Sequence, residues 1–436
     1  MARLRITTTE RGLFAFATAT AGPAMSKQDV LLALTAARIV HGIDDAAVAA
    51  FAQSVADAAF HGQAMLARGL APVPGEDGRL EGLPAGNPLP GELRADGSID
   101  FHERHFLVPK TSGQPIARVV APTPGCAGRD VHGAVLAPKP GKALATRFGA
   151  GIRVDGERLL ATRSGVLLQD GRQIDVVALY EHGADVDLAS GNLHSDGSIV
   201  VRGDVQLGMN ANAQGDLHVL GSVFDGCVQA GGSLRIDQGV QGMHAAARAT
   251  LDVACRHATS ASLEAGGNVV VGDQATHCRI RANQLLAHSG RGTVFGGEAR
   301  VTQRISVRTA GTANGAATHF VVGDMLAGIA NLVRTTNHES KVAERAQQAL
   351  AANGKSPGKA ERAGLRVGDA TLEERLRLRQ QQRELLQTAQ IEVIDTLHVG
   401  VRLTFGERSW INDSTRKGVR YRWSANDDTT IEEALP

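Results

Sequence analysis

Aromatic residues make up only 3% of the 436 residues, so grooves that rely on stacking rings, sugar-cleaving ones among them, lack their usual building blocks. An excess of charge is missing as well. Forty-six basic against 45 acidic residues leave a formal charge of +1, and nothing in that balance draws the chain toward nucleic acid or an anionic membrane. No uncharged apolar run reaches the roughly 18 residues of a membrane span, and the opening MARLRITTTERGLFAFATATAG holds no apolar stretch before a small-residue cleavage site. These absences predict a soluble cytoplasmic protein with no membrane insertion. The four cysteines, Cys126, Cys227, Cys255 and Cys278, form no C-x-x-C pair, which argues against a disulfide framework and against a zinc signature.

Glycine is abundant, with 51 residues, and its placement organises the reading. At the N-terminus, Ser26 and Asp29 mark the start of a helix over 27–39, and Asp44 or Asp45 opens a second in which Val48, Phe51, Val55 and Ala59 recur at helical spacing. Residues 1–84 are therefore expected to be an N-terminal helical, or α+β, region. From 85 to 190 the stretches FLVP, IARVV, LLATRSGVLL and IDVVALY predict a small all-β domain.

A repeat follows. The first aliphatic of each unit gives Ile199, Leu217, Leu234, Leu251, Val269, Leu285 and Ile305, at steps of 16 to 20 residues. A second row reads Val205, Val223, Val240, Ala258, Ala275 and Val294, and a third Ala211, Val228, Ala245, Leu263, Ile280 and Ala299. Three rows repeating once per turn predict a parallel β-helix over 191–323, its strands about 4.8 Å apart from coil to coil. Variable step length favours a right-handed winding. The expected prism is narrow, with one inward side chain per side and no room for bulky aromatics. Gly203, Gly221, Gly231, Gly232, Gly239 and Gly266 are placed at its corners, where positive φ or close backbone approach is needed.

After Val322 the period changes to alternating steps of four and three, through Leu326, Ile329 and Val333, which predicts a helical hairpin, an antiparallel coiled coil, over 324–390. Strand character returns over 391–436 and is expected to close the open end of the β-helix.

GLAPVPGEDGRLEG (69–82), PGCAGRDVHGAVLAPKPGK (124–142) and SGNLHSDGSIVVRGDV (190–205), taken in that order with a β-helix and a hairpin, resemble the flagellar assembly protein A family. The second motif follows that family's P-G-x-x-G-x-D-V-x-G pattern, while His194 and Ser195 stand where the family commonly has an aromatic. The resemblance implies a cytoplasmic, non-enzymatic protein that binds other proteins in flagellar assembly or its regulation. It carries over no catalytic residue and no cofactor. Pro124, Gly125, Gly128, Asp130, Val131 and Gly133 match the signature and are expected to be structural, the glycines supplying turns and Asp130 accepting backbone hydrogen bonds.

The remaining motifs point to little chemistry. NGKS (353–356) ends like a phosphate loop, but Ala349 stands where a glycine is required. GRGTVFGG has the wrong glycine spacing for a dinucleotide fingerprint. His244, Cys255, His257, His277, Cys278 and His288 cluster in the coils, and stacking by one turn would make Cys227 and His244 neighbours; irregular spacing argues against a metal site. Arg375, Arg377, Arg379 and Arg383 form a basic strip on the hairpin, interleaved with Glu373, Glu374 and Glu384, which suits a protein partner better than nucleic acid. Two further readings stand beside the scaffold. One is a bactofilin-like polymer of stacked β-helices; the other is a β-helix enzyme acting on acyl groups or polysaccharide.

Overall fold

Hydrogen-bonded ladders, not a conventional layered core, hold most of this chain together. The computed structural model describes residues 4–9, 11–19, 25–56, 62–84, 89–323, 384–406, 408–424 and 429–435. Two compact units are present. The first comprises Met1–Pro84, Pro115–Arg147 and Arg153–Leu160, and the second Ala85–Gln114, Phe148–Ile152 and Ala161–Pro436. Strands from 85 to 190 are thus divided between the two.

In the first unit, β1 (Leu4–Thr8), β2 (Phe14–Ala19) and β3 (Ala64–Arg68) form an antiparallel sheet in that order, so the N-terminal region is not helical alone. Two helices pack with it: α1 (Lys27–Ala36) and α2 (Asp45–Ala56). Ser26 begins α1 with a capping box, its Oγ accepting from Asp29 N at 3.3 Å while Ser26 N donates to the Asp29 carboxylate at 2.9 Å. Val30, Leu34, Val48, Phe51 and Val55 fill the core against Ala15, Ala17 and Leu66.

The second unit is a β-solenoid of about eight coils. Its first side stacks Tyr180, Ile199, Leu217, Leu234, Val253 and Val269 in one column, and Leu285, Ile305 and Ile391 continue it toward the C-terminus. The second side stacks Val186, Val205, Val223, Val240, Ala258, Ala275 and Val294, the row expected from the sequence. The third stacks Leu193, Ala211, Val228, Ala247, Leu263, Ile280, Ala299, Phe320 and Leu403.

Two expected column members are wrong, for one physical reason. Leu251 does not lie over Leu234; Val253 does, and Leu251 is an exposed corner residue. Likewise Ala247, not Ala245, lies over Val228. The corner at Gly242–His244 holds two more residues than its predecessor, which moves everything after it by two until the following corner shortens.

The interior is also wider than one side chain per side. Val201, Val219, Ile236, Cys255 and Val271 add a second column to the first side. The third side carries three inward positions, represented by Met209, Ala211 and Ala213 in one coil and Ala245, Ala247 and Ala249 in another, all buried. Aromatics do fit: Tyr180 packs against the core at the N-terminal end, and fully buried rings lie at the C-terminal end. The column that runs Ser195, Ala213, Ala230, Ala249 and Ala265 ends in Val301, Val322 and Phe405, and Phe320 and Phe405 are the largest fully buried side chains.

Of the two reasons expected for corner glycines, close approach applies, with a Cβ on Gly231 or Gly266 falling 2.1 or 1.9 Å from a carbonyl oxygen, and positive φ does not. None of Gly203, Gly221, Gly231, Gly232, Gly239 and Gly266 has positive φ. Left-handed residues occur instead between the second and third sides, at Gly208, Asp225, Gly242, Ser260, His277 and Gly296.

Strands cover both ends of the stack. At the N-terminal end, Val108–Lys110, Gly165–Asp170 and Gln173–Val177 form an antiparallel group that adds Leu107 and Val166 to the solenoid core. At the other end, Gln390–Leu397 pairs in parallel with Thr293–Ala310 and antiparallel with Val419–Ser424. Arg408–Ile411 pairs antiparallel with Arg402–Phe405, and Trp410 stacks on Phe405 with ring centroids 5.9 Å apart. The hairpin expected over 324–390 falls on 324–383, outside the described residues. A short helical turn at 384–388 precedes the return to the ladder, and Leu386 and Ala389 are buried in the solenoid core.

Candidate interaction surface

In the first unit the two glycine-rich motifs, far apart in sequence, run against each other. Leu70 and Arg129 exchange backbone hydrogen bonds of 2.8 Å, and Val73 and Cys126 exchange bonds of 3.0 Å. The glycines are where main chain meets main chain. A Cβ on Gly128 would lie 2.3 Å from Leu70 O, one on Gly125 2.6 Å from Val73 O, one on Gly75 2.0 Å from Thr123 O and one on Gly141 1.9 Å from Glu76 O. These contacts lie well inside van der Waals distance, so no other side chain fits at those positions. Gly125 and Gly133 also have φ of +78° and +85°.

The signature's polar residue closes the turn. Asp130 Oδ1 accepts from His132 N at 3.0 Å and from Ala134 N at 2.7 Å, an Asx arrangement that needs a carboxylate or amide there. Val131 is fully buried among the helices and sheet, and its carbonyl accepts from Val40 N and His41 N. Pro124 stands just before Gly125 at the start of this segment.

Beside this turn lies a cleft of about 570 Å³ lined by Leu13, Phe14, His41, Arg68, Gly69, Leu70 and Ala71. The Arg68 guanidinium sits 5.8 Å from the Phe14 ring centroid, a cation–π contact. The lining offers one imidazole and one cation but no hydroxyl, thiol or carboxylate, so it holds no nucleophile beside a base.

On the solenoid, corner aspartates bridge the coils. Asp185 Oδ1 accepts from Asp204 N, Asp204 Oδ1 from Ser222 N, Asp216 Oδ1 from Ser233 N and Asp252 Oδ1 from Asn268 N, at 2.6–2.8 Å. Each carboxylate occupies the space that a Cβ would need on the glycine one coil later, at Gly203, Gly221, Gly232 and Gly267. Gly239 makes room for His257 in the same way, and Gly231 and Gly266 for carbonyls.

Cys227 lies beside Ala246, not His244, while His244 N donates to Asp225 Oδ1. Among the described residues no group of three or more His, Cys, Asp or Glu is placed to hold a metal ion. Burial pushes the Cys255 thiol up to about 12, with Cys278 nearby adding to it, and burial raises Cys278 as well; both thiols stay protonated and unreactive.

The three outer faces differ in charge. Phe224, Gln241, Thr259, Thr276 and Phe295 run up the second side without a formal charge, whereas the third side carries arginines. Near the C-terminal end the first side buries Glu392. Its carboxylate accepts from Arg304, from Arg420 Nε at 2.6 Å and from Ser306 Oγ at 3.3 Å. Burial pushes Glu392 up, but the two guanidiniums outweigh it and hold the carboxyl below its ordinary range.

Residues 178–427 match the family described as the Flagellar Assembly Protein A beta solenoid domain, and residues 4–172 match the Flagellar Assembly Protein A N-terminal region. The chain belongs to the Flagellar Assembly Protein A family. Both matched regions coincide with features built above: the solenoid with the first, and the interleaved glycine motifs with the second. No curated protein and no solved structure matches the chain. No helix among the described residues is long and apolar enough to cross a membrane. Arg375, Arg377, Arg379 and Arg383 lie outside the described residues.

Proposed function

We propose that this chain is a non-catalytic, cytoplasmic scaffold that serves flagellar assembly or its regulation by presenting rigid surfaces to other proteins. The carrying observation is the solenoid itself. Its interior is filled by aliphatic columns and its two ends are covered by strands, so only its outer faces and corners remain to be recognised. Family membership links the chain to flagellar assembly, and the absence of a hydroxyl, thiol or carboxylate from the lining of the cleft supports a binding role over catalysis. Coil lengths that vary by several residues support a right-handed winding. The expected hairpin with Arg375, Arg377, Arg379 and Arg383 is a second contact arm, and the signature residues Pro124, Gly125, Gly128, Asp130, Val131 and Gly133 serve to hold the first unit together.

The test is affinity capture from a flagellated host with the full chain, alongside electron microscopy of the purified protein and motility of a strain lacking it. Specific protein capture and a motility defect are expected. Filaments of the purified chain would favour the bactofilin-like polymer instead, and intact motility without any captured protein would overturn the scaffold.

A further inference from the structure

The third side of the solenoid carries a charged outer lattice. Its outward positions form a two-column lattice, with neighbours about 4.8 Å apart between coils and roughly 6–7 Å apart along a strand. Near the N-terminus the lattice holds Asn210, Asn212, Cys227 and Gln229. Farther along, one column reads Ser262, Arg279, Glu298, His319 and Arg402, and the other Arg248, Glu264, Arg281, Arg300, Val321 and Thr404. Five arginines thus face two glutamates, an excess of three positive charges on a chain whose formal total is +1.

Part of this lattice satisfies itself. Arg248 Nε lies 3.5 Å from Glu264, Arg300 Nη2 donates to Glu298 at 2.8 Å, and His319 Nδ1 lies 3.2 Å from Glu298. Burial lowers the His319 imidazole's proton affinity, as do Arg300 and Arg402, against the pull of Glu298, which leaves the arginines as the source of positive charge. Arg279, Arg281 and Arg402 are exposed, and among the described residues their side chains make no hydrogen bond or ion pair. Arg281 stands between Glu264 on the coil before and Arg300 on the coil after, so that one of its two neighbours in the column carries a like charge.

From this we infer that the third side, centred on Arg279, Arg281, Arg300 and Arg402, is the docking face for an acidic protein surface. The partner carries carboxylates spaced roughly 5–7 Å apart to meet the arginine lattice, with a cationic group opposite Glu264 or Glu298. Two features set this partner apart from nucleic acid. Glu264 and Glu298 would repel a continuous phosphate backbone, and the two columns contain no Phe, Tyr or Trp on which a base could stack, His319 being held at both ring nitrogens by Glu298 and Thr404. The assignment rests on the scaffold reading and names the surface it uses.

The experiment measures fluorescence anisotropy of a labelled oligoglutamate peptide and of duplex DNA with the full chain. The variants are Arg279→Glu/Arg281→Glu/Arg402→Glu and its neutral counterpart with Gln at the same positions; Arg235→Glu/Arg256→Glu, on other surfaces, is the control. Peptide binding should weaken by about tenfold or more in the reversed chain and less in the neutral one, remain in the control, and fall steeply with salt. Equal binding by the native and reversed chains, or tighter binding of duplex DNA that is lost on reversal, overturns the assignment. Unchanged circular dichroism and thermal unfolding establish that the variants fold. Capture from the flagellated host separates the two levels: proteins retained equally by native and reversed chains leave the scaffold standing and remove this face, whereas no retained protein from either removes the scaffold itself.

Discussion

Glycine is demanded in both compact units, but the solenoid adds an obstacle that the first unit's motifs do not use. In the first unit the missing side chain makes way for main chain: Gly75, Gly125, Gly128 and Gly141 each face a carbonyl oxygen of the opposing motif. In the solenoid, Gly231 and Gly266 likewise face a carbonyl, Gly203 and Gly221 face both a carboxylate and main chain, and Gly232 and Gly267 face a carboxylate from the coil before with no other atom within 3 Å. A carbonyl cannot be removed by mutation and a carboxylate can. The same residue type is therefore absolute where main chain is the obstacle, in the first unit and at Gly231 and Gly266, and conditional at Gly232 and Gly267.

That contrast can be broken experimentally, beginning where the effect is largest. Gly128→Ala should cost the first unit about 3 kcal/mol or more, because backbone must move, and no second-site side-chain deletion should restore it. Hydrogen exchange of α1 and α2 reads this out; near-native protection would show that the motifs can part. Removing one partner from a buried charge group is next. Glu392→Gln should destabilise the C-terminal end of the solenoid by about 2–4 kcal/mol, since Arg304 and Arg420 lose their anion.

Acid gives the same group a signature. The folded carboxyl of Glu392 is depressed, so its contribution is complete above the unfolded value and disappears as pH falls through the folded one. Acid unfolding curves should accordingly be shallower in the Gln variant; parallel curves would mean that Glu392 contributes nothing to the acid limb.

Gly232→Ala should cost about 1–3 kcal/mol, less than Gly128→Ala, and combining it with Asp216→Ala should recover part of that loss, a coupling of about 1 kcal/mol. Strict additivity in the cycle would erase the distinction between the two kinds of glycine. The smallest effect is a gain. Ser260 holds φ of +56°, so Ser260→Gly should raise stability by about 0.5–1 kcal/mol, detectable as a higher unfolding midpoint.

How much of this was readable in the residues follows from what each feature depends on. The second-side row could be read directly because every member is a branched aliphatic or alanine in an uninterrupted frame. Leu251 misled because an aliphatic at a corner looks the same as one in a column, and nothing in Gly242–His244 announces two extra residues. The inner third-side positions hide behind Gly226, Ala245, Cys278 and Thr318, which carry little hydrophobic signal. Left-handed corners at Asp225, Ser260 and His277 are invisible when glycine is the sole marker sought. The signature motifs were recognisable one by one, but their interleaving was not, since the contact is between backbones. As for the third-side lattice, Arg279 and Arg281 sit in CRIRA like any alternating strand; their meeting with Arg300 and Arg402 exists only once the coils are in register.

The column that starts on Ser195, passes through a run of alanines and finishes on Phe405, with Trp410 stacked on it, begins in a hydroxyl and ends in rings. Trp410 is itself partly buried against the core. The last ladder is thus roofed by the chain's own indole, and water that would otherwise wet its final rung is kept out by a residue only a few positions further along.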